Sequence, residues 1–206
     1  MPAAGAPRPA WGWHRLTDEW ASRIVDDAAV RRGELVLDIG AGRGALTGPL
    51  SDAGVRVLAV ELHPDRVAYL RQRFATAPSV TVVWADAAVM PHGLGRTRDG
   101  QPRSGQDNRA PRLTLPHRPF RVVANPPYAL SSALLRLLLA EPTRLRAADL
   151  VLSRAVVRRC VEGNIPGGGR LLRHWELLAG RPVPRSAFRP APAVDSQVLV
   201  IRRRSG

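Results

Sequence analysis

At 206 residues with 45% hydrophobic content, the chain is long enough to bury one sizeable core. No apolar run approaches the roughly 20 residues of a membrane-spanning helix, and the lone Cys160 excludes an internal disulfide framework. The net charge of +14, with arginine at all 31 basic positions, points to a polyanionic partner, because guanidinium groups fork onto phosphates and stack on bases.

The opening "MPAAGAPRPA" has no charged region leading into an apolar one, so it does not read as a secretory signal. Residues 1–15 are expected to form a flexible tail, and residues 16–206 a single domain. Cys160 is expected to be a small buried thiol, in keeping with a cytoplasmic location. From 18 to 30, Trp20, Ile24, Val25, Ala28 and Ala29 recur at helical spacing. "ELVLDIG" then predicts a buried strand, "ALTGPLSDAG" a helix stopped by Gly54, and "RVLAVELH" a second strand. Pro64 opens the helix "PDRVAYLRQRF", since a first helical turn tolerates proline. "SVTVVWADA" and "FRVVANPPY" follow as strands, "SALLRLLLAE" as a helix, "AADLVLS" as a strand and "RAVVRRCVEG" as a helix.

"HWELLAGRPV" and "QVLVIRRR" are the last two strands, and the proline-rich turn between them is too short for a crossover helix. They should therefore pair antiparallel. Alternation of strands and helices predicts an α/β, doubly wound, Rossmann-like sheet with an antiparallel last strand. Residues 91–118 interrupt this order with Gly, Pro, Arg, Gln and Asn, and are expected to form a mobile basic arm.

The chemistry gathers at strand ends. Asp38 ends the first strand, and Gly40, Gly42 and Gly44 follow in a G-x-G-x-G loop before a helix. Glu61 ends the second strand, 23 residues after Asp38, where a carboxylate can accept both hydroxyls of a ribose. Asp86 ends the third, beside the same crevice, where it can meet an adenine amine. A carboxylate at Asp38 suits a cationic amino acid better than a phosphate, which favours S-adenosylmethionine over a dinucleotide.

The fourth strand delivers Asn125-Pro126-Pro127-Tyr128. An exocyclic base amine is a poor nucleophile because its lone pair is delocalised into the ring. Two acceptors aimed at its N–H bonds, the Asn125 side-chain oxygen and the Pro126 carbonyl, favour the pyramidal geometry that frees the pair. Tyr128 can stack on the base, worth about 1–3 kcal/mol. The tetrad alone does not choose the acceptor, since DNA adenine and glutamine-amide methyltransferases carry the same four letters.

"LVLDIGAGRGALT", "VANPPY", "DLVLSRAVVRR" and the F-x-P-x-P-x-V-D-S pattern of 188–196 occur in that order. Together they resemble the erythromycin-resistance (Erm) 23S rRNA adenine-N6 methyltransferases, which share a superfamily with the small-subunit dimethyladenosine transferases. The resemblance covers residues 11–203. It implies a class I S-adenosyl-L-methionine-dependent methyltransferase, with cofactor contacts from His14, Leu16, Asp38, Gly40, Gly42, Gly44, Glu61, Leu62, Asp86, Ala87 and Asn125. Asn125, Pro126 and Tyr128 would hold a flipped adenine of 23S rRNA, with Phe188 closing on its other face. The implied outcome is resistance to macrolide, lincosamide and streptogramin B drugs by a monomeric enzyme. Methylation of 16S rRNA or of DNA, and a catalytically silent RNA-binding protein, are the alternatives.

Three departures from the family pattern stand out. "WGWHRL" replaces the usual Gln-Asn-Phe before the first helix, N-P-P-Y replaces the commoner N-I/L-P-Y/F, and the family's C-terminal helical domain does not follow "IRRRSG". RNA contact is therefore expected from the 91–118 arm and the terminal arginines.

Overall fold

The computed structural model describes residues 14–87, 110–140, 142–165, 168 and 172–204. Its elements in chain order begin with β1 (Arg15–Leu16), α1 (Asp18–Ala28), β2 (Leu35–Ile39), α2 (Thr47–Asp52) and β3 (Arg56–Glu61). Next come α3 (Pro64–Arg73), β4 (Val80–Trp84), β5 (Phe120–Ala124), α4 (Ser131–Leu139) and β6 (Leu145–Ser153). The last are α5 (Arg154–Val161), β7 (Trp175–Val183), β8 (Phe188–Arg189) and β9 (Ser196–Arg203). The seven-stranded sheet has the order β4-β3-β2-β5-β6-β9-β7. β4 through β6 run parallel, and β9 is antiparallel to both β6 and β7. This is the expected α/β doubly wound arrangement, with the antiparallel strand inserted inside the last crossover.

Side chains alternate across the strands, so each central strand feeds two cores. On one face Leu37, Val122, Leu150 and Leu199 pack with Leu134, Leu138 and Val157 of α4 and α5. On the other, Val36, Val123, Val151 and Val198 pack with Ile24, Val25 and Leu50 of α1 and α2. Being covered on both faces explains why β2 is apolar throughout apart from Asp38, and buried along its whole length. Cys160 is a buried thiol in the α5 side of this packing, as expected. β7 is an edge strand, which is where its Pro182 and the register shift after Ala179 can be tolerated.

Two expectations about segment boundaries change. Residues 1–13 lie outside the described residues, but Arg15 of the expected tail pairs with Arg189, and Leu16 with Phe188, in a two-stranded antiparallel sheet. The expected arm lies outside the described residues over 91–109. Its end is ordered, because Asp86 bridges Arg112 and Leu113 is buried in the core. The terminal arginines are also less free than expected. Arg202 grips the buried Asp149 through both guanidinium nitrogens, at 2.8 and 3.0 Å, and Arg203 lies over the Trp175 ring.

Asp149 is only 2% exposed, and a second guanidinium, that of Arg121, lies 3.6 Å away. Arg121 also donates to the main-chain carbonyls of Ala28 and Ala29, capping the end of α1. One carboxylate therefore ties β6, β5, β9 and α1 together. Asp149→Ala should lower unfolding stability by roughly 3 kcal/mol in urea titration, because two partly buried cations lose a fully buried partner. Asp195→Ala, which breaks the exposed pair with Arg185, should stay within about 1 kcal/mol of the parent.

Candidate active site

The sheet order reverses direction between β2 and β5, and an open α/β sheet binds its ligand in the crevice at such a switch point. The glycine loop leaves β2 there, and the Asn125 turn leaves β5 beside it. Gly40, Gly42 and Gly44 all have positive φ, at 77°, 60° and 80°, which only glycine adopts at little cost. The two turns interlock. A Cβ on Gly40 would come within 3.2 Å of the Pro127 ring, and one on Gly44 within 2.7 Å of Phe74. The second proline of N-P-P-Y thus forms the wall against which the loop packs.

Glu61 accepts three main-chain N–H bonds, from Gly42 at 2.8 Å, Leu62 at 3.0 Å and His63 at 2.9 Å. Its carboxylate fastens the end of β3 to the middle of the glycine loop. The carbonyl of Leu62 accepts from the Trp84 indole at 2.9 Å, which carries the same fastening on to β4. Asp86 spends its main chain on Pro111 and Leu113, while Ala87 is buried in the core beside it.

Asp38 is buried under the loop and accepts the Thr47 hydroxyl at 2.7 Å at the start of α2. Burial, with the Glu61 charge adding to it, pushes its carboxyl up to about 7, although the Thr47 hydrogen bond pulls the other way. Sequence reasoning places Asp38 against a cationic amino acid; the structure adds a mechanical role beneath α2.

Asn125 shows the sharpest geometry. Its Nδ2 donates to the His14 carbonyl at 2.9 Å. A carbonyl can only accept, so the amide orientation is fixed and Oδ1 is the acceptor left to face outwards. His14 Nδ1 is 2.8 Å from the Pro190 carbonyl, and its ring lies 6.2 Å from that of Tyr128, 25° from parallel. His14 therefore stands beside Asn125, as its place in "WGWHRL" suggests.

Tyr128 is held by Ser196, with 2.5 Å between the two hydroxyl oxygens. Burial raises the phenol above its ordinary range, with the Ser196 hydrogen bond opposing, so the ring stays neutral at physiological pH. Sequence reasoning missed Ser196. Its only signal was its place as the last letter of F-x-P-x-P-x-V-D-S.

Two expected site residues sit elsewhere than their roles require. Phe188 is fully buried, packed with Leu16, Ala21 and Ile24, so its ring presents no open face to a base. Leu16 is 1% exposed in the same cluster and offers no side-chain surface to a cofactor. Pairing of β1 with β8 turns both side chains inwards.

The raised Asp38 carboxyl carries a sign for stability. The folded chain holds this proton where the unfolded chain releases it. The contribution is complete below about pH 4 and is lost as pH rises through about 7. Between about pH 5 and pH 8, thermal melts of the parent should fall relative to Asp38→Asn, which keeps an acceptor for Thr47 but has no proton to lose. Parallel pH profiles for the two proteins would contradict a buried, protonated Asp38.

With this geometry in view, comparison with known proteins is specific. The ribosomal RNA adenine dimethylase family pattern matches residues 8–206. The ribosomal RNA small subunit methyltransferase A of Synechococcus sp. (strain RCC307) is 35% identical over 204 residues, covering 93% of this chain and 68% of that protein. An rRNA adenine N-6-methyltransferase of Corynebacterium diphtheriae is 30% identical, covering 98% of this chain and 71% of that protein. The crystal structure of the 23S rRNA methyltransferase ErmE superposes with a TM-score of 0.73 at 27% identity, covering 93% of this chain and 70% of that one. The chain spans about two thirds of the length of these relatives. S-adenosylmethionine is the methyl donor of this family, and the glycine-rich loop over a buried acid fits a cationic, nucleoside-bearing donor. The chain belongs to the ribosomal RNA adenine dimethylase family.

Proposed function

We propose that this protein methylates the N6 amine of an adenine in ribosomal RNA, with 23S rRNA as its substrate. The observation that carries the reading is the orientation of Asn125, whose amide nitrogen is taken by His14 so that its oxygen faces outwards. Bound donor supplies a methyl group already activated on a sulfonium, so positioning matters more than acid–base assistance. Asn125 Oδ1 and the Pro126 carbonyl accept the two N–H bonds of the amine and turn its lone pair out of conjugation. Tyr128, clamped by Ser196, supports one face of a flipped base, and the His14 ring extends that platform. Phe188 serves from beneath by packing β8 against β1, which keeps His14 over Asn125. On the donor side, Glu61 and the glycine loop are the ribose contacts, and Asp38 lies where a cationic amino acid would restore its ionisation.

The 23S reading rests on the superposition with the 23S enzyme and on the motif set of the Erm proteins. It would place the modified base in the macrolide-binding region and make the product a resistance determinant. A second reading, methylation of small-subunit rRNA, is favoured by the names of the relatives at 34–35% identity. Incubation with labelled donor and either 23S or 16S rRNA, followed by mapping of the modified base, separates the two. Label in 23S rRNA is the expected result, and label confined to 16S rRNA would overturn the substrate assignment.

Asn125→Ala should lower the transfer rate about 100-fold or more, the scale of losing one preorganised hydrogen-bonding group. Donor affinity by calorimetry should change less than about threefold, because Glu61 and the glycine loop are intact. Unchanged turnover in this variant would remove Asn125 from the mechanism.

A further inference from the structure

Opposite the transfer edge, where the parallel strands begin, lies a hollow of about 290 Å³ lined by Arg56, Arg118, Arg121 and Arg146. Strand register brings these positions together. Leu35 pairs with Arg56, Val36 with Arg121, and Phe120 with Leu145, so the starts of β3, β2, β5 and β6 form one row. Among the described residues Glu34 is the one carboxylate lining the hollow, and it is already engaged. It accepts from the Arg31 main chain at 2.8 Å and from Arg121 at 3.4 Å.

Arg121 is likewise committed, to the end of α1 and to Asp149. Arg56, Arg118 and Arg146 are exposed and have no carboxylate partner among the described residues. Three uncompensated guanidinium groups around one hollow repel each other unless an anion sits among them. The apolar residues beside them, Leu35 and Phe120, are buried, so the surface offers charge without an apolar face for a membrane to take up.

We infer that this edge is a second RNA contact, in which Arg56, Arg118 and Arg146 take backbone phosphates of an rRNA helix other than the one presenting the target adenine. The inference rests on the ribosomal RNA reading above and adds to it a requirement on substrate size. Strands of five to six residues at about 3.3 Å per residue set the two edges roughly 17–20 Å apart. A stem-loop docked end-on at Asn125 would point its stem away from the sheet, whereas a folded rRNA domain can bring a second helix round to the opposite edge. Phosphate contacts fix orientation without reading sequence, so the edge sets affinity and register while the Asn125 side sets chemistry.

The test is a triple variant, Arg56→Gln with Arg118→Gln and Arg146→Gln, assayed on a folded rRNA domain and on the minimal stem-loop cut from it. For the folded domain the dissociation constant should rise about tenfold or more, and the slope of log affinity against log salt should shrink by about three. Stem-loop affinity and the transfer rate at saturating RNA should not change. Equal binding of the folded domain by variant and parent would overturn the inference, as would the same loss on both RNAs. Parent protein that bound neither RNA would overturn the RNA reading itself. A thermal melt controls for folding. Photocrosslinking of thiouridine-substituted domain RNA to the parent should recover peptides holding Arg56 or Arg118, and crosslinks confined to the Asn125 edge would also contradict the contact.

Discussion

One main-chain carbonyl decides which way round the Asn125 amide sits. His14 presents that carbonyl because β1 pairs with β8, and β8 is fixed by the burial of Phe188 and Leu16. An asparagine at a strand end is free to present either its oxygen or its nitrogen, and the two orientations have opposite chemistry toward an amine. A donor turned outwards would repel N–H bonds, while an acceptor turned outwards draws them into a geometry that frees the lone pair. The short sheet between the two ends of the described chain thus sets the polarity of the transfer edge, although it contributes only two residues from each strand.

The cofactor side obeys the same logic of parts that hold one another. The glycine loop rests on Pro127, Glu61 fastens the loop to β3, and Trp84 fastens β3 to β4. Asp38 secures the start of α2 from below. A loop with glycine at every second position needs outside restraint if it is to keep one conformation, and here part of that restraint comes from the turn that carries the acceptor for the base. Donor and acceptor sites are therefore built against each other, which suits an in-line transfer that depends on alignment rather than on acid–base help.

Much of this was legible in the sequence because it is periodic or punctuated. The buried strands are apolar runs ending at glycine or an acid, and Pro64 marks the first turn of α3 where the structure has it. Sequence reasoning places Asp38, Glu61, Asp86 and Asn125 at successive strand ends, and the structure sets β2, β3, β4 and β5 side by side and parallel, so these ends share one edge of the sheet. What was not legible depends on contacts far apart in the chain. β1 and β8 are too short to show alternation, and their partners are separated by more than 170 residues. Their pairing turns Phe188 inwards, against the expectation of an exposed ring. Arg202 looked like a free terminal arginine because nothing in the local sequence reveals that Asp149 lies across the strand pair from it. Ser196 carries no signal of its own beyond its place in the motif, although it holds the Tyr128 hydroxyl across 68 residues.

Charge follows the same division. Arg121 and Arg202 are consumed by Asp149 in holding the fold, while Arg56, Arg118 and Arg146 at the strand-starting edge have no carboxylate partner among the described residues. The account stands or falls on the outward oxygen at Asn125. The most direct measurement is a crystal structure of the protein with the demethylated cofactor product and an adenine-bearing RNA. The account predicts the Nδ2 to His14 hydrogen bond retained, with the adenine N6 within hydrogen-bonding reach of both Asn125 Oδ1 and the Pro126 carbonyl. An adenine seated away from these two oxygens, or an Asn125 amide turned the other way, would contradict it.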